Sequence, residues 1–586
     1  MAKKKITMQQ VKDFVKKVPP YVKNNWSKNQ NPEYDVSLKE ATGMCFADMG
    51  VSTIVKIVSY VSFVSTSAVV GLVFGMSIQQ IYVLTCIATI VNLFYIGINA
   101  TIVDSLGNLS KKTLKGLHIS SILVLVVVIG LCFVDSSRFD YIVTDIFIHI
   151  AIIFGAKIFM TYLSLMVYKL FGKKHGKYKP WILFMGLPTV VFATALTFLP
   201  YEDLRPNVLL IFVNLLSCLL GSCTSGYCCN NMNLSSTNIE SMQNLITTNP
   251  QERVILHSIF PILAGLLASL LTMFLPLIAT LSGYEENSIG IYRIIVPAFG
   301  IVGTAFTLFS MWCSEKVIPS DNNADKPIVT KTAMKNVFKN KYLWIIKIGT
   351  TFQALSALDL PILTYVLLYD TRMQWLAVIL AALTALPSTP GNLVTPFITK
   401  RMSKHTAYMM LMGLKTLVTM TCCLAVFVDN AVIKLAIIVI CLGASSFVNS
   451  SARVIARSFM GDALDYHQWR FHERAEGATA YFTYLTTPLT LALGYVTPFL
   501  FALVGLVDDR DVLYDDEVRG GILLMLIILY SVETVLTCLP YIFYDLTLDK
   551  QKQIRSDLKE RALQATADSD EITATDSNLT TVGGAE

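Results

Sequence analysis

Long apolar runs broken by short polar stretches dominate this chain. A helix that crosses a bilayer needs about 20 mostly apolar residues. Runs of that kind fall at 50–73, 77–103, 117–135, 143–170, 181–199, 207–230, 254–283, 289–313, 342–368, 374–398, 405–428, 432–457, 478–507 and 520–545. The pattern predicts an all-α polytopic membrane protein of about 14 transmembrane helices.

The polar breaks alternate in charge. One set carries Lys3 to Lys28, then Lys111, Lys112 and Lys115, then Lys169, Lys173, Lys174, Lys177 and Lys179, and later Lys400, Arg401 and Lys404. The other set is short or acidic: DSSRFD at 135–140, YEDLRP at 201–206, YEENS at 284–288 and DDRDVLYDDEVRG at 508–520. Basic residues gather on the cytoplasmic side of membrane proteins. Both termini are therefore expected in the cytoplasm, with the cell membrane as the location.

Composition agrees with the periodicity. Of 586 residues, 54% are hydrophobic and only 15% charged, against about 25% charged in a soluble domain. The first residues lack an apolar core followed by small residues, so no cleaved signal peptide is expected. Most of the twelve cysteines lie inside apolar runs without CxxC spacing, which reads as buried thiols rather than a metal site or disulfides. No GxxxxGK[ST], HExxH or GxSxG pattern occurs, so nothing points to an enzyme, a cofactor or a nucleic-acid partner.

The longest polar break inside the apolar region, Glu315 to Lys341, divides the helices into eight and six. Two helical bundles joined by an inward linker are the layout of the major facilitator fold, whose halves rock about a midplane site. The expected domains are a basic cytoplasmic segment at 1–48, an N-terminal bundle at 49–315, a linker at 316–341, a C-terminal bundle at 342–546 and a disordered tail at 547–586. The tail is rich in Ser, Thr, Asp and Ala and lacks apolar periodicity.

The densest chemistry lies at 461–477, GDALDYHQWRFHERAEG, between two apolar runs. Mixed acids and bases at a helix end suit a salt-bridged gate or hinge better than a stability device, because exposed ion pairs contribute only about 0–1 kcal/mol each. The segment resembles the end of the tenth helix in the glycoside–pentoside–hexuronide:cation symporter family of the major facilitator superfamily, to which melibiose permease belongs. Three further stretches resemble the same family in the same order: HGKYKPW at 175–181, TTNPQER at 247–253 and SEKV at 314–317. On that footing the gating candidates are Lys177, Lys179, Glu252, Arg253, Asp462, Asp465, Arg470, Arg474 and Glu476; simple anchoring is the competing reading for Lys177 and Lys179. The family has twelve helices, so the resemblance implies an extra pair in the N-terminal half, either 117–170 or 50–103. The phrase FADMG at 46–50 resembles the family's start of helix one.

Charges inside spanning helices cost about 2.5–3.5 kcal/mol each near the centre and default to functional hypotheses. Lys56, Lys157 and Asp359 are of this kind, although Lys56 is shallow enough to snorkel. Amides and aromatic faces suit sugar hydroxyls and rings, which adds Asn92, Asn230, Asn231, Tyr481 and Tyr484; helix bridging and packing are the competing readings.

The chain also departs from the family. The resemblance implies an acid pair four residues apart on helix two and a lysine on helix eleven. The candidate second helices offer Asn92 and Ile96 or Lys157 and Thr161, and 478–507 carries no charge. Sodium coupling is therefore not carried over. The expectation is a secondary active symporter working by alternating access on a sugar, glycoside or related organic solute. Lys157 and Lys56 favour an anionic solute, and a proton is favoured over sodium as coupling ion. Lipid is the surrounding partner. A lysolipid transporter and a transport-inactive sensor or scaffold are the alternatives.

Overall fold

In the computed structural model the described residues are 26–27, 34–63, 102, 111–132, 141–172, 175, 178–184, 186–200, 212–213, 215–217, 219–220, 238–282, 289–315, 330–356, 386–428, 430–474, 478–479, 482, 485–505, 515–561 and 563–564. Helices dominate them. In chain order they are α1 (Leu38–Phe63), α2 (Lys111–Cys132), α3 (Tyr141–Val167), α4 (Lys179–Phe184), α5 (Gly186–Thr197), α6 (Asn238–Leu245), α7 (Pro250–Ser282) and α8 (Ile289–Thr307). There follow α9 (Thr330–Phe338), α10 (Lys341–Phe352), α11 (Ser388–Arg401), α12 (Lys404–Thr421), α13 (Ala431–Phe471), α14 (Thr487–Leu503), α15 (Asp516–Cys538) and a last helix, α16, over 548–561. Among the described residues seven helical stretches are long and apolar enough to cross a membrane.

Two apolar cores organise these helices. One draws on α1, α3, α4, α5, α6, α7 and α8, with Ile54, Trp181, Met242, Phe260 and Ile291 among its buried members. The other draws on α9, α10, α12, α13 and the end of α15, centred on Tyr342, Tyr408, Phe459 and Tyr541. Within the N-terminal half α1 packs on α7, α8 and α5; within the C-terminal half α13 packs on α11 and α12, and α15 on α10 and α12. The α1–α8 crossing is close because it is made by glycines. A Cβ on Gly50 would fall 2.5 Å from the Gly303 carbonyl oxygen, so small residues let the two backbones meet, as in other membrane helix pairs. Apolar side chains that a soluble protein would bury, such as Ile301, Phe397, Leu417, Phe427 and Phe543, stand on the outside. That is the surface a lipid environment requires.

Three elements differ from the sequence-based expectation. The helix of the apolar run at 432–457 does not stop where apolarity does: α13 runs unbroken for 41 residues to Phe471, since the stretch from Asp462 to Arg470 lacks proline and glycine and keeps its buried face in step with the helix. Residues 330–338 of the linker form α9, and Asn340 then caps α10 through its side chain, 3.1 Å from the Tyr342 N–H. The tail begins with a helix rather than disorder. Gln551, Ile554 and Leu558 recur at helical spacing and are buried against the body of the protein, a short amphipathic stripe within a polar composition.

Candidate functional site

The two halves meet at one end through α7, which packs against α11 and α13, and through α6 against α13. The residues there follow from how α7 begins. Asn249 caps it, its Oδ1 accepting from the N–H groups of Gln251 (3.0 Å) and Glu252 (3.4 Å), and Pro250 occupies the first position, where a missing N–H costs nothing. This fixes Glu252 and Arg253 side by side in the first turn. Glu252 faces its own half and accepts from the N–H groups of Asp35 (2.9 Å) and Val36 (3.0 Å) and from the Thr247 hydroxyl. Arg253 crosses to the other half.

Arg253 is 1% exposed. Its Nη1 lies 3.0 Å from Asp462 Oδ1, its Nη2 lies 3.0 Å from Asp465 Oδ2, and Nη2 also donates to the Thr247 carbonyl at 3.3 Å. Both acids are on α13, three residues apart and therefore on one face. Lys404, opening α12, reaches the second oxygen of Asp462 at 2.7 Å. Arg474 reaches the second oxygen of Asp465 at 3.1 Å and Gln468 Oε1 at 3.0 Å. Arg474 can fold back because the chain reverses at His472, which ends α13 in the left-handed region (φ 56°) with its N–H on the Gln468 carbonyl. Gly461 makes room for the whole arrangement: a Cβ there would fall 2.6–2.8 Å from the Arg253 guanidinium.

A strap and a lid lie over this hub. Asp35 accepts from the N–H (3.0 Å) and hydroxyl of Thr248 and lies 3.5 Å from Arg555 on α16. Burial works to raise the Asp35 carboxyl, but the Thr248 hydrogen bonds and the charges of Arg555 and Lys559 outweigh it and hold the group below its ordinary range. On its other side α16 holds α13: Trp469 Nε1 donates to Asp557 at 2.9 Å and Arg561 donates to the Trp469 carbonyl at 2.9 Å. The recess between them is lined by Thr248, Asp465, Gln468, Arg474 and Arg555. Nearby, Glu473 accepts from Asn336 of α9 at 2.8 Å and lies 3.7 Å from His467. Burial raises its carboxyl as well, and the His467 and Asn336 contacts bring it below the usual range.

The structure thus brings Glu252, Arg253, Asp462, Asp465 and Arg474 into one network. Arg470 stands apart, donating to the Tyr466 hydroxyl at 2.8 Å on its own helix. Lys179 is tied within the N-terminal half, its Nζ donating to the carbonyls of Met311 (3.1 Å) and Cys313 (2.7 Å). There Glu315 accepts from the N–H groups of Tyr178 and Lys179. Lys56 and Lys157 lie half-buried on α1 and α3. Lys177, Glu476, Asn92, Asn230, Asn231, Asp359, Tyr481 and Tyr484 lie outside the described residues.

Sequence reasoning missed several buried charges, among them three that are paired with an opposite charge on another helix. Lys404 reads as one more basic residue at a helix start, and only the fold turns it inward onto Asp462. Lys415 and Glu533 form an ion pair at 3.3 Å inside the C-terminal half, both less than 5% exposed. Glu533 also accepts from the hydroxyls of Thr534 (3.2 Å) and Thr537 (3.0 Å), and Lys415 lies over the Tyr530 ring at 4.5 Å. For Lys415 and Glu533 the signal was available, because both sit in apolar runs where the rule that singled out Lys157 applies equally.

Comparison with known proteins adds to this geometry. The family described as MFS/sugar transport protein matches residues 169–548. An isoprimeverose transporter of Lactiplantibacillus pentosus is 24% identical over 327 residues, which cover 54% of this chain and 64% of that transporter. The crystal structure of a bacterial homologue of the iron transporter ferroportin, in an outward-facing state, superposes with a TM-score of 0.50 at 12% identity, over 86% of this chain and 98% of the other. That likeness is one of fold, and it agrees with the two-bundle architecture expected from the helix pattern.

Proposed function

The chain belongs to the MFS/sugar transport protein family, and from that premise we propose that it is a secondary transporter of a sugar, glycoside or related organic solute, working by alternating access. The observation that carries the mechanism is Arg253, buried between the halves and bound to two acids of the opposite half. With these contacts made, the charged end is shut. Opening it separates Arg253 from Asp462 and Asp465 and lets water reach all three.

The energetics suit a switch. A buried ion pair gains little net free energy over its hydrated parts, whereas removing one partner leaves a buried charge unpaired at a cost of about 3–5 kcal/mol. Separation with full hydration is therefore nearly balanced, while partial separation is not. The gate has two favourable positions and none between them. Lys404 and Arg474 keep the two acids neutralised when Arg253 leaves, since both belong to the same half as those acids.

The charged end is cytoplasmic in this reading, supported by the basic residues that flank it. A proton is the proposed coupling ion, supported by the absence of an acid pair four residues apart on the candidate second helices. The relative from L. pentosus suggests isoprimeverose as the first solute to try, and half-buried Lys56 and Lys157 keep anionic glycosides within the reading.

The test is uptake into proteoliposomes. Radiolabelled isoprimeverose is presented with and without an imposed pH difference, in sodium and in sodium-free buffer, followed by neutral glycosides and uronides as competitors. Uptake should be accelerated by an inward proton gradient, indifferent to sodium and abolished by Arg253→Ala. A strict sodium requirement would sink the proposed coupling. Binding of these solutes without any uptake would favour a sensor.

A further inference from the structure

The hub does not exhaust the buried polar groups between the halves. One turn further along α7 from Arg253 stands His257, 1% exposed, whose Nε2 donates to Asn244 Oδ1 of α6 at 3.1 Å. Beside Asn244, Gln243 is 1% exposed and its Nε2 donates at 2.8 Å to Oδ2 of Asp48 on α1. Asp48 is itself buried, and among the described residues its other oxygen accepts a long 3.4 Å hydrogen bond from Ser52. From the opposite half Arg457 of α13, five residues before Asp462, places its positive charge in range of both Asp48 and His257. Three helices of one half and one of the other thus form a second polar layer, deeper than the hub.

This layer has too many acceptors. Among the described residues Gln243 Oε1 and His257 Nδ1 are buried without a hydrogen-bond partner, and Asp48 adds two carboxylate oxygens to one good donor. A buried acceptor without a donor has lost its water and gained nothing in exchange, so each one destabilises the arrangement. A proton is the smallest species that corrects the imbalance, because a protonated carboxyl becomes a donor. Gln243 serves either state: its amide nitrogen donates to the carboxylate, and its unused carbonyl accepts from the acid once the amide turns over.

The neighbours of Asp48 favour a site that responds to the gate. Its own helix brings Cys45 and Ser52, and α6 brings Gln243; on α7, which packs against α1, Glu252 is engaged with Asp35, Val36 and Thr247, Arg253 with the acids of α13, and His257 with Asn244. From the C-terminal half comes the charge of Arg457, while Lys404 is engaged with Asp462. The stretches α5 and 308–312 carry no charge, and the one charge of α8, Arg293, is bound to the carbonyls of Thr197 and Leu199. Arg457 is thus the cation in range of Asp48 that departs when the halves separate.

We propose that Asp48, held by Gln243 and faced across the interface by Arg457, is a proton-binding site whose loading unlocks the charged end. As a carboxylate it attracts Arg457 and draws the halves together. Taking a proton from bulk water forms one O–H bond, removes the charge and with it the attraction, and gives an orphaned acceptor its donor. Release to water reverses each change. The inference rests on the transporter reading and gives it a coupling residue.

The test needs no solute, so its failure and the failure of that reading are separable. Full-length protein in lipid nanodiscs carries a donor and an acceptor fluorophore on non-canonical residues at Leu38 and Lys400, two exposed positions on opposite halves at the charged end. Energy transfer is followed from neutral to acid pH. Transfer should fall on acidification in the parent, as the end opens. In Asp48→Asn it should stay low throughout, with the pH response lost. Arg457→Gln should lose the response in the same way and carries the test alone if Asp48→Asn does not fold. An unchanged pH response in either variant, or no response in the parent, overturns the proposal.

Discussion

Two buried ion-pair systems in this protein use the same chemistry for opposite ends. The Arg253–Asp462–Asp465 hub straddles the two halves, whereas Lys415–Glu533 lies wholly within one. In the second, every supporting contact is local: the Thr534 and Thr537 hydroxyls and the Tyr530 ring all sit on the same helix as Glu533. Nothing in a rocking motion separates α12 from α15, so that pair fastens. The hub must part once per cycle, and its acids keep spare cations for that moment. Whether a buried salt bridge is a fastener or a switch depends on which side of the moving interface its partners stand.

Substitutions can break that comparison. The largest effect is expected from Arg253→Ala, which strips two acids of a shared partner; about 3–5 kcal/mol against the closed state corresponds to a shift of about two to four decades in the gate equilibrium. Uptake should vanish while the purified protein still melts cooperatively. Lys415→Met should do the reverse, leaving Glu533 buried and alone, costing about 3–5 kcal/mol of stability and lowering the melting temperature. Pairing it with Glu533→Leu should recover that loss and leave transport intact, because an apolar contact fastens as well as an ionic one. If the double variant is stable but does not transport, the pair is no mere fastener.

Smaller effects refine the hub itself. Arg474→Ala removes the rim partner of Asp465, whose side chain is 23% exposed, and about 0–1 kcal/mol is expected, seen as a modest slowing of gate opening, because Asp465 then depends on Arg253 alone. The smallest change is expected from Asp35→Asn, which loosens the strap from α16. Its carboxyl is held below the ordinary range, so its contribution is fully present above the unfolded value of about 3.9 and lost only as pH falls through the lower folded value. The difference between parent and variant in thermal melts should therefore be flat across neutral pH and close only in acid.

Much of this was legible in the chain. The spanning helices announce themselves by length and apolarity, and Arg253, Asp462, Asp465 and Arg474 stand out because charge is rare beside such runs. What sequence could not supply was pairing. Lys404 sits among other basic residues at a helix start, and nothing local says that its ammonium turns inward while Lys400 stays exposed. Asp48 is recognisable as part of a helix-one phrase, yet its standing comes from Gln243, 195 residues away, and from Arg457 in the other half. The helical tail was missed for a different reason: three buried positions in a polar composition are too few to outweigh it until a surface is present to receive them.

The unbroken course of α13 carries a consequence for how the two ends communicate. Its 41 residues make a rod about 60 Å long, twice the roughly 30 Å hydrocarbon core. The rod bears Asp462 and Asp465 near one tip and Asn430 at the other, with no loop between them to absorb strain. A lever of this kind, tilting by about ten degrees around its middle, carries each tip about 5 Å in opposite directions over its half-length of about 30 Å. Parting at the charged end and approach at the far end are then one displacement of a single beam.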